Sequence, residues 1–522
     1  MDTLGRTMNG AEALVRTLIG SGIAACFANP GTSEMHVVSA LDRVGGLRSV
    51  LCLAEGVASG AADGYARMAG APASILLHCG PGLANALSNL HNARRARSPV
   101  VAIVGDHATH HRAWDAPLTA DVEGTARPYS DWVRVVRRAR TAAADGAAAV
   151  QAARTPPGQI ATLILPADAA WNSADGPVGP LPVPAPLAPA PAQIETASRM
   201  LRRDGANCLL LLGGSAVSER GQRAAFRIAA ATGASVLAQM SNARLPRGRG
   251  RYPLERVPYP VDLALTRLAR FRACILIGAK HPMAFFAYPG KPSSLLPEGC
   301  AVHVLARPDQ DATAALDAVA SEVAAGIAAP PGADGRPAEP PRGAVTSEGI
   351  AAVLAAVLPE GAIVVDEGVT TGRGFFPATY TAAAHDWLQL TGGSIGEGIP
   401  LALGAAVACP DRRVIGLQAD GSALYTVQGL WSLARERCDC TIVLFANRRY
   451  AILRQELANV GANPGRTALD LIDLGNPDLD WVRIAQGFGV EAAAAEDLGR
   501  LADLLRQSFS RSGPFLIALA VP

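Results

Sequence analysis

Asp420 and Asn447 are polar residues placed where two neighbouring parallel strands would end. Apolar runs precede them, residues 414–417 and residues 441–446, and these runs predict buried strands joined by a helix that begins after Asp420. Because parallel strands end at the same edge of a sheet, we expect the Asp420 carboxylate and the Asn447 amide to lie close together. Such oxygen ligands, with the backbone carbonyls beyond Asn447, suit Mg²⁺ or Ca²⁺. An ordinary Asp-Gly turn beside a surface asparagine is the alternative interpretation.

The two residues after Asp420 favour phosphate binding at the same place. Gly421 and Ser422 would begin a helix. The free N–H groups and the dipole of a helix start could hold a diphosphate beside the metal.

Glu55 is a second candidate carboxylate. It stands at a predicted junction between a strand and a helix, and many small residues follow it up to residue 68. Because small side chains let a helix approach another backbone closely, we expect Glu55 to be shielded from water. The alternative is a glutamate in the first helical turn that complements the helix dipole and has no other role.

The elements that would position these residues alternate along the whole chain. The clearest further strand predictions, most of them ending at or near a glycine, are residues 74–78, 100–105, 208–214, 273–278 and 362–366. Segments of helical composition, such as residues 10–19 and 55–68, lie between strands. The pattern predicts an α/β protein with three doubly wound parallel-sheet domains.

Two proline-rich stretches divide the sequence into three units. Residues 176–192 and residues 330–343 are predicted linkers, because closely spaced prolines do not support a helix or a central strand. The predicted domains are therefore residues 7–175, 193–329 and 344–522.

Composition excludes several classes of protein. The chain has 522 residues, 49% of them hydrophobic, and a formal net charge of +2. No extended basic run favours nucleic acid, residues 1–6 lack the start of a secretory signal, and no apolar stretch is long enough to cross a membrane. The nine scattered cysteines fit no common zinc spacing and indicate reduced thiols. We expect a cytoplasmic protein with no nucleic-acid or membrane partner.

The ordered motifs together resemble the thiamine-diphosphate-dependent enzymes of the acetolactate synthase, pyruvate decarboxylase and benzoylformate decarboxylase group. Besides Glu55, Asp420 and Asn447, the resemblance rests on residues 27–32, 80–85, 163–168, 366–368 and 391–396. It covers nearly the whole chain, and is nearest to the benzoylformate decarboxylase-like and acetolactate synthase-like proteins. It implies that the first domain binds the cofactor's pyrimidine and the last its diphosphate, with active sites between the subunits of a homodimer or homotetramer.

The resemblance also implies a role for individual residues. Glu55 matches the glutamate that bonds the pyrimidine N1′ and relays a proton. Asp420, Asn447 and the Arg449 carbonyl match the Mg²⁺ ligands. The other implied cofactor contacts are Pro30, Thr32, Thr370, Gly393, Ile395, Gly421, Ser422 and Tyr450. Of these, Gly393 would accept from the 4′-amine, Ile395 would lie beneath the cofactor, and Thr32 falls in a segment whose hydroxyl meets the substrate carboxylate in benzoylformate decarboxylase.

The sequence departs from the family pattern at two places in the metal motif. Ala419 precedes Asp420 where the family usually has glycine, and Arg448 and Arg449 replace a smaller turn. The two arginines could meet an anionic substrate or a cofactor phosphate, or they could be solvated.

Histidines bear most on the chemistry. His78 matches a histidine that handles protons near the substrate of benzoylformate decarboxylase, and a structural histidine is the alternative. Phe285 stands where that enzyme has a second histidine, and His281 is expected not to reach the same place. His107 and His110, with His111 beside them, could supply the missing acid–base group or bind a carboxylate. Without that second histidine, the product carbanion could attack a second carbonyl.

These observations predict a thiamine diphosphate- and Mg²⁺-dependent enzyme that decarboxylates a small 2-oxo acid. The carbanion is then either protonated or ligated to a second carbonyl. The first alternative is the catalytic subunit of acetolactate synthase, with FAD possible in the central domain but not favoured. Further alternatives are a flavin oxidoreductase of the pyruvate oxidase kind, an acyl-CoA lyase and a non-catalytic nucleotide-binding protein.

Overall fold

Three mainly parallel sheets, each flanked by helices, make up the molecule. The computed structural model describes residues 7–522, so the segment searched for a secretory signal, residues 1–6, lies outside the described residues. The predicted α/β class and the three predicted sheets are confirmed.

The first domain is built on a six-stranded, wholly parallel sheet in the order β2-β1-β3-β4-β6-β5. Its strands are β1 Ala25–Asn29, β2 Arg48–Leu51, β3 Ala73–Leu77, β4 Val100–Asp106, β5 Trp132–Val135 and β6 Ile160–Pro166. Its helices are α1 Gly10–Gly20, α2 Met35–Val44, α3 Glu55–Ala69, α4 Cys79–Ala96, α5 Val122–Ala126, α6 Ala139–Arg154 and α7 Ala167–Trp171. The central strands β3 and β4 are buried along their whole length, because helices cover both faces of a parallel sheet.

The central domain contributes a four-stranded parallel sheet in the order β11-β10-β7-β8. The strands between the two linkers are β7 Cys208–Leu212, β8 Ser235–Ala238, β9 Leu245–Arg247, β10 Ala273–Ile277 and β11 Ala301–Ala306. The helices are α8 Pro191–Asp204, α9 Glu219–Thr232, α10 Val261–Leu268 and α11 Ala312–Val323. Helix α8 thus begins inside the last two residues of the predicted linker 176–192, since proline is well tolerated in a first helical turn.

The last domain carries a seven-stranded sheet in the order β16-β17-β15-β14-β12-β13-β9. Its own strands are β12 Ile363–Glu367, β13 His385–Gln389, β14 Val414–Ala419, β15 Cys440–Ala446, β16 Glu491–Ala495 and β17 Phe515–Ala520. Its helices are α12 Ser347–Val357, α13 Phe375–Ala378, α14 Gly398–Ala408, α15 Asp420–Ala423, α16 Gly429–Arg435, α17 Ala451–Asn459, α18 Arg466–Asp470, α19 Trp481–Gly487 and α20 Leu498–Phe509.

Strand β9 was not predicted, and it departs from a purely parallel arrangement. It lies in the chain of the central domain but pairs antiparallel with β13 of the last domain, with Leu245 opposite Trp387 and Arg247 opposite His385. Three residues carry too little pattern to predict a strand. The central and last domains therefore share one sheet.

Helix α3, which begins at Glu55, packs against α14 of the last domain through glycines. A Cβ at Gly64 would overlap the Leu401 carbonyl, and one at Gly404 would overlap the Ala61 carbonyl. The two backbones can approach this closely only because side chains are missing at the contact. The same helices share a buried ion network, in which Arg67 bonds to Asp63 at 2.8 Å and to Glu397 at 2.9 Å.

The described helices include no candidate for a membrane span. Within residues 7–522, no helix has both the length and the apolar character that crossing a bilayer requires.

Candidate functional site

Asp420 lies at the carboxyl end of β14 with its carboxylate held by main-chain donors. The side chain accepts hydrogen bonds from the N–H of Gly421 at 2.8 Å and from the N–H of Arg448 at 2.7 Å. Only 2% of the residue is exposed, and this burial raises the pKa of Asp420 in spite of those two bonds. A buried carboxylate of this kind would be stabilised by a cation.

Asn447 follows β15, which pairs with β14 so that Ala419 lies opposite Phe445. This register brings Asp420 and Asn447 to one edge of the sheet, as the sequence predicts. The Asn447 Oδ1 accepts from the Arg449 N–H at 3.0 Å, which closes a tight turn in which Arg448 has a left-handed φ of 57°. We call residues 420–422 and 447–450 the Asp420 edge.

Among the described residues, the turn from Asn447 to Tyr450 leaves the Arg449 carbonyl without a main-chain donor. The Arg448 carbonyl accepts from the Leu474 N–H at 2.8 Å, and the Tyr450 N–H donates to the Ile472 carbonyl at 2.9 Å. In the part of the chain that the structure describes, the Arg449 carbonyl has no such partner. This is the carbonyl that the family resemblance assigns to the metal.

A cavity of ≈ 450 Å³ opens beside this turn. Its lining residues are Asn447, Arg448, Arg449, Tyr450, Arg454, Leu469, Ile472, Asp473 and Gly475. The segment from Leu469 to Gly475 escaped the sequence prediction, because it contains no motif and reaches the site through its pairing with residues 448–450.

Two predicted phosphate contacts, Gly421 and Ser422, directly follow Asp420 and are buried. Helix α15 is a single turn, so its dipole contributes less than a full helix would. The Ser422 hydroxyl accepts from Gln418 at 2.7 Å and donates to the Ala419 carbonyl at 3.0 Å, which leaves its N–H as the group free to face a phosphate. Thr370 is half-buried after β12, the strand next to β14.

The segment that contains Gly393 and Ile395 is held by helix α4 of the first domain. Asn92 donates to the Ser394 carbonyl at 2.7 Å, and Asn89 donates to the Gly396 carbonyl at 3.2 Å. Gly393 has a left-handed φ of 78°, and the ring of Phe285 occupies the space where its side chain would lie.

At the first-domain sheet edge, His78 forms a part-buried contact with Glu34 that the sequence did not predict. Its Nδ1 lies 2.8 Å from the Glu34 Oε2 and 3.3 Å from the Ser33 hydroxyl. Glu34 is 1% exposed, and burial raises its pKa although the Gly31 N–H, at 2.7 Å, and His78 both oppose the rise. The only sequence signal was an acidic residue three positions after Gly31.

Glu55 shares this edge with His78. A Cβ at Gly82 would lie 3.3 Å from the Glu55 Oε1 and 3.5 Å from the His78 Cβ, so both side chains border the same glycine. Asn85 donates to the Glu55 Oε2 at 3.1 Å. Glu55 is half-buried, so the expected shielding from water is incomplete within one chain. We call Glu34, Glu55 and His78 the His78 edge.

The other predicted residues of the first domain differ in exposure. Pro30 is half-buried and Thr32 is exposed just before Glu34. His107 is half-buried directly after β4, its ring centroid is 5.5 Å from that of His111, and its Nε2 has no partner among the described residues. His110 is exposed, as is His111. Of the three clustered histidines, His107 is therefore the one enclosed at the sheet edge.

Comparisons with known proteins agree with this arrangement. The family model described as "Thiamine pyrophosphate enzyme, N-terminal TPP binding domain" matches residues 8–125, and the model of the corresponding C-terminal TPP binding domain matches residues 375–519. The chain is 52% identical to the "Putative acetolactate synthase large subunit IlvX" of Mycobacterium tuberculosis over 99% of both chains. It belongs to the thiamine pyrophosphate enzyme family.

Other members of the thiamine pyrophosphate enzyme family are more distant. A benzoylformate decarboxylase of Pseudomonas aeruginosa is 29% identical, over 95% of this chain and 96% of its own. The solved structure of a thiamine diphosphate-dependent 4-hydroxybenzoylformate decarboxylase from Rhodococcus jostii has the same fold, with a TM-score of 0.84, 24% identity and 98% of each chain covered.

The residues at the Asp420 edge fit the cofactor that this family implies. A buried carboxylate, a nearly buried amide and an unpartnered carbonyl form a set of hard oxygen donors, which Mg²⁺ prefers when it also binds phosphate. A Cβ at Gly421 would lie 2.6 Å from the Tyr450 ring, so glycine is required for Tyr450 to close the edge.

Proposed function

We propose that this protein decarboxylates a 2-oxo acid with thiamine diphosphate and Mg²⁺. The observation that carries the proposal is the pairing of Glu55 and His78 around Gly82, with His78 bonded to the buried Glu34. A carboxylate and an imidazole beside each other can move protons at two different atoms. The names of the relatives, acetolactate synthase and benzoylformate decarboxylase, support the same class of reaction.

In this proposal the Asp420 edge holds the cofactor's charged end. The Asp420 carboxylate, the Asn447 amide oxygen and the Arg449 carbonyl would bind Mg²⁺. Main-chain N–H groups of Gly421 and Ser422, with the hydroxyls of Thr370 and Tyr450, would bind the diphosphate.

Bound thiamine diphosphate supplies a nucleophilic carbon and accepts the electrons that the leaving carboxylate releases. Glu55 would hold a proton at the pyrimidine N1′, and the Gly393 carbonyl would orient the 4′-amine. Ile395 would support the cofactor from below. Thr32, exposed beside the His78 edge, would donate a hydrogen bond to the substrate carboxylate.

His78 would exchange a proton with the substrate or product, and Glu34 would keep its ring oriented and stabilise its charged form. His107 and His110 lie after the neighbouring strand β4. His107, whose Nε2 is unpartnered in the described structure, is the better placed of the two to assist.

Carboligation is the second candidate outcome, and the name of the 52% identical relative favours it. The side chain next to Gly393 is Phe285, which cannot transfer a proton. His281 instead bonds to Ser294 at 2.8 Å. A site that returns a proton slowly would leave time for a second carbonyl compound to react in its place.

The proposal includes an assembly, and it leaves a flavin possible but not favoured. We expect a homodimer or homotetramer in which a second copy completes the enclosure of the half-buried Glu55. We do not favour FAD, and a colourless purified protein would agree with this, whereas a yellow one would favour a flavin-containing synthase or oxidase.

The test is to measure CO₂ release from a panel of 2-oxo acids, including pyruvate and benzoylformate, with thiamine diphosphate and Mg²⁺. Release that depends on both additions is the expected result. An aldehyde product would identify a decarboxylase, and a 2-hydroxy ketone would identify a carboligase. No release from any acid in the panel would contradict the proposal.

A further inference from the structure

A cleft lies where the strand order of the central sheet changes direction. Strand β8 lies on one side of β7 and β10 lies on the other, and ligands of open α/β sheets bind above such a point. The loops at this point begin with Gly213 and Gly214 after β7 and with Gly278 after β10. A Cβ at Gly213 would lie 2.8 Å from Gln239 and 3.0 Å from Ala279. A cavity of ≈ 710 Å³ opens between these loops and the first domain.

Four cations line this cavity, which we call the cationic cleft. Arg94, Arg95 and Arg97 come from the end of α4 and the residue after it, and Lys280 comes from the loop after β10. Arg97 fixes the two domains together, because its Nη1 donates to the Gly278 carbonyl at 3.2 Å.

The positive charge of the cationic cleft is balanced only in part by carboxylates of the described chain, Asp131 beside Arg94 and Asp309 near Arg97. Asp131 is the single carboxylate of the described lining, and it pairs with Arg94 at 2.9 Å. Within the described chain, Arg95 and Lys280 have no carboxylate within 4.0 Å. Burial, and then the charges of Arg95, Arg97 and Arg94, lower the pKa of Lys280. Clustered like charges in a cleft are costly unless an anion offsets them.

The same cavity is also lined by residues of the proposed reaction centre. Phe285 and Thr391 line it, and the Phe285 ring lies against Gly393. Part of the wall of the cationic cleft is apolar, formed by Leu211, Met240, Val257, Met283 and Leu295. This wall suits a short hydrocarbon chain that joins two polar groups.

We propose that the cationic cleft binds a second acidic group of the substrate, a carboxylate or a phosphate distant from the reacting carbonyl. The inference rests on the proposed function and specifies its substrate: a 2-oxo acid with an acidic group at the far end of an apolar chain. Arg95 and Lys280 bind the distal anion, and Arg97 and Arg94 hold the walls of the cleft in place.

The experiment compares two acids that differ in the distal group alone, 2-oxoadipate and 2-oxohexanoate. CO₂ release is measured for the full chain with thiamine diphosphate and Mg²⁺, and for Arg95→Met, Lys280→Met and the double variant. Arg483→Met, a change at an exposed arginine outside the cleft, is the matched control. We expect a kcat/KM ratio that favours the dicarboxylate at least tenfold, that falls at least tenfold in the double variant, and that persists in the control.

Binding of unreactive probes separates this inference from the proposed function. Adipate and butyl phosphate are titrated calorimetrically against the cofactor-loaded protein and its variants, beside ADP and FAD. Binding of adipate or butyl phosphate that is lost in the double variant supports the anion site, even if no acid releases CO₂, in which case the proposed function alone fails. Equal kcat/KM for the two acids overturns the inference. So does binding of ADP or FAD in the cleft with no binding of the small anions.

Discussion

The Asp420 edge and the His78 edge are both built at the carboxyl ends of parallel strands, yet they are held together in opposite ways. At the Asp420 edge the polar side chains bond to main-chain groups of that edge, as Asp420 does with the N–H groups of Gly421 and Arg448. At the His78 edge the side chains bond to one another, as His78 does with Glu34. The Asp420 edge is therefore suited to binding in a fixed geometry, and the His78 edge is suited to proton exchange.

Glu55→Gln should have the largest effect and separate chemistry from binding. A neutral amide cannot hold the proton at N1′, so we expect activity to fall about a hundredfold to ten-thousandfold while cofactor binding is retained. Steady-state rates and calorimetric cofactor titration would measure the two effects. Glu348→Gln is the matched control, because Glu348 also lies in a first helical turn. Equal small effects of both substitutions would show that Glu55 serves only the helix dipole.

Asp420→Asn should have the opposite effect at the Asp420 edge, because it should weaken cofactor binding first and activity only as a result. Loss of the buried charge should weaken Mg²⁺-dependent cofactor binding by about a hundredfold, and saturating Mg²⁺ should restore part of the activity. The measurement is a Mg²⁺ titration of cofactor affinity, with the exposed Asp411→Asn as control. If cofactor affinity is unchanged, Asp420 is not a metal ligand.

Glu34→Gln should have a smaller effect that depends on pH. Burial raises the pKa of Glu34, so on acidification Glu34 takes up a proton at a higher pH than an ordinary glutamate does. Protonation removes the negative charge that faces His78. We expect kcat/KM of the unchanged protein to fall as the pH drops through that raised pKa. The variant should lack this acid limb and be about tenfold less active at neutral pH, on the scale of a hydrogen bond to a charged group. Glu123→Gln is the control and should keep the acid limb. If the acid limb persists in Glu34→Gln, the titrating group is another residue.

His385 offers a titrating group away from both edges, and its effect should appear in stability alone. Its Nδ1 bonds to the Ala383 carbonyl at 2.7 Å, and burial lowers its pKa to about 4. Between pH 6.5 and about 4, His385 is protonated in the unfolded chain but neutral in the folded chain. The free energy of unfolding should therefore decrease by about 3 kcal/mol as the pH falls through this window. Urea unfolding of His385→Asn should show a weaker pH dependence, and an identical one would exclude His385 as its source.

The fold and the Asp420 edge could be predicted because they depend on local patterns. A buried strand followed by Asp420, and another followed by Asn447, fix the position of both residues through the parallel register alone. Glu34 could not be found in this way, because its importance comes from contacts with His78 and with Gly105 on two other strands. The cationic cleft also escaped prediction, since Arg95 and Lys280 meet only after two domains pack together.

Strand β9 has a consequence for how the protein can be divided. Composition suggests a cut in residues 330–343, yet such a cut leaves β13 without its outer neighbour, and the freed edge carries open hydrogen-bonding groups next to Trp387. Exposed strand edges recruit other chains. The last third of the sequence, expressed by itself, should therefore self-associate. A chain that also includes residues 193–329 should not, because it retains β9. The segments on the two sides of residues 330–343 therefore depend on each other through one shared sheet, and they do not separate at the linker.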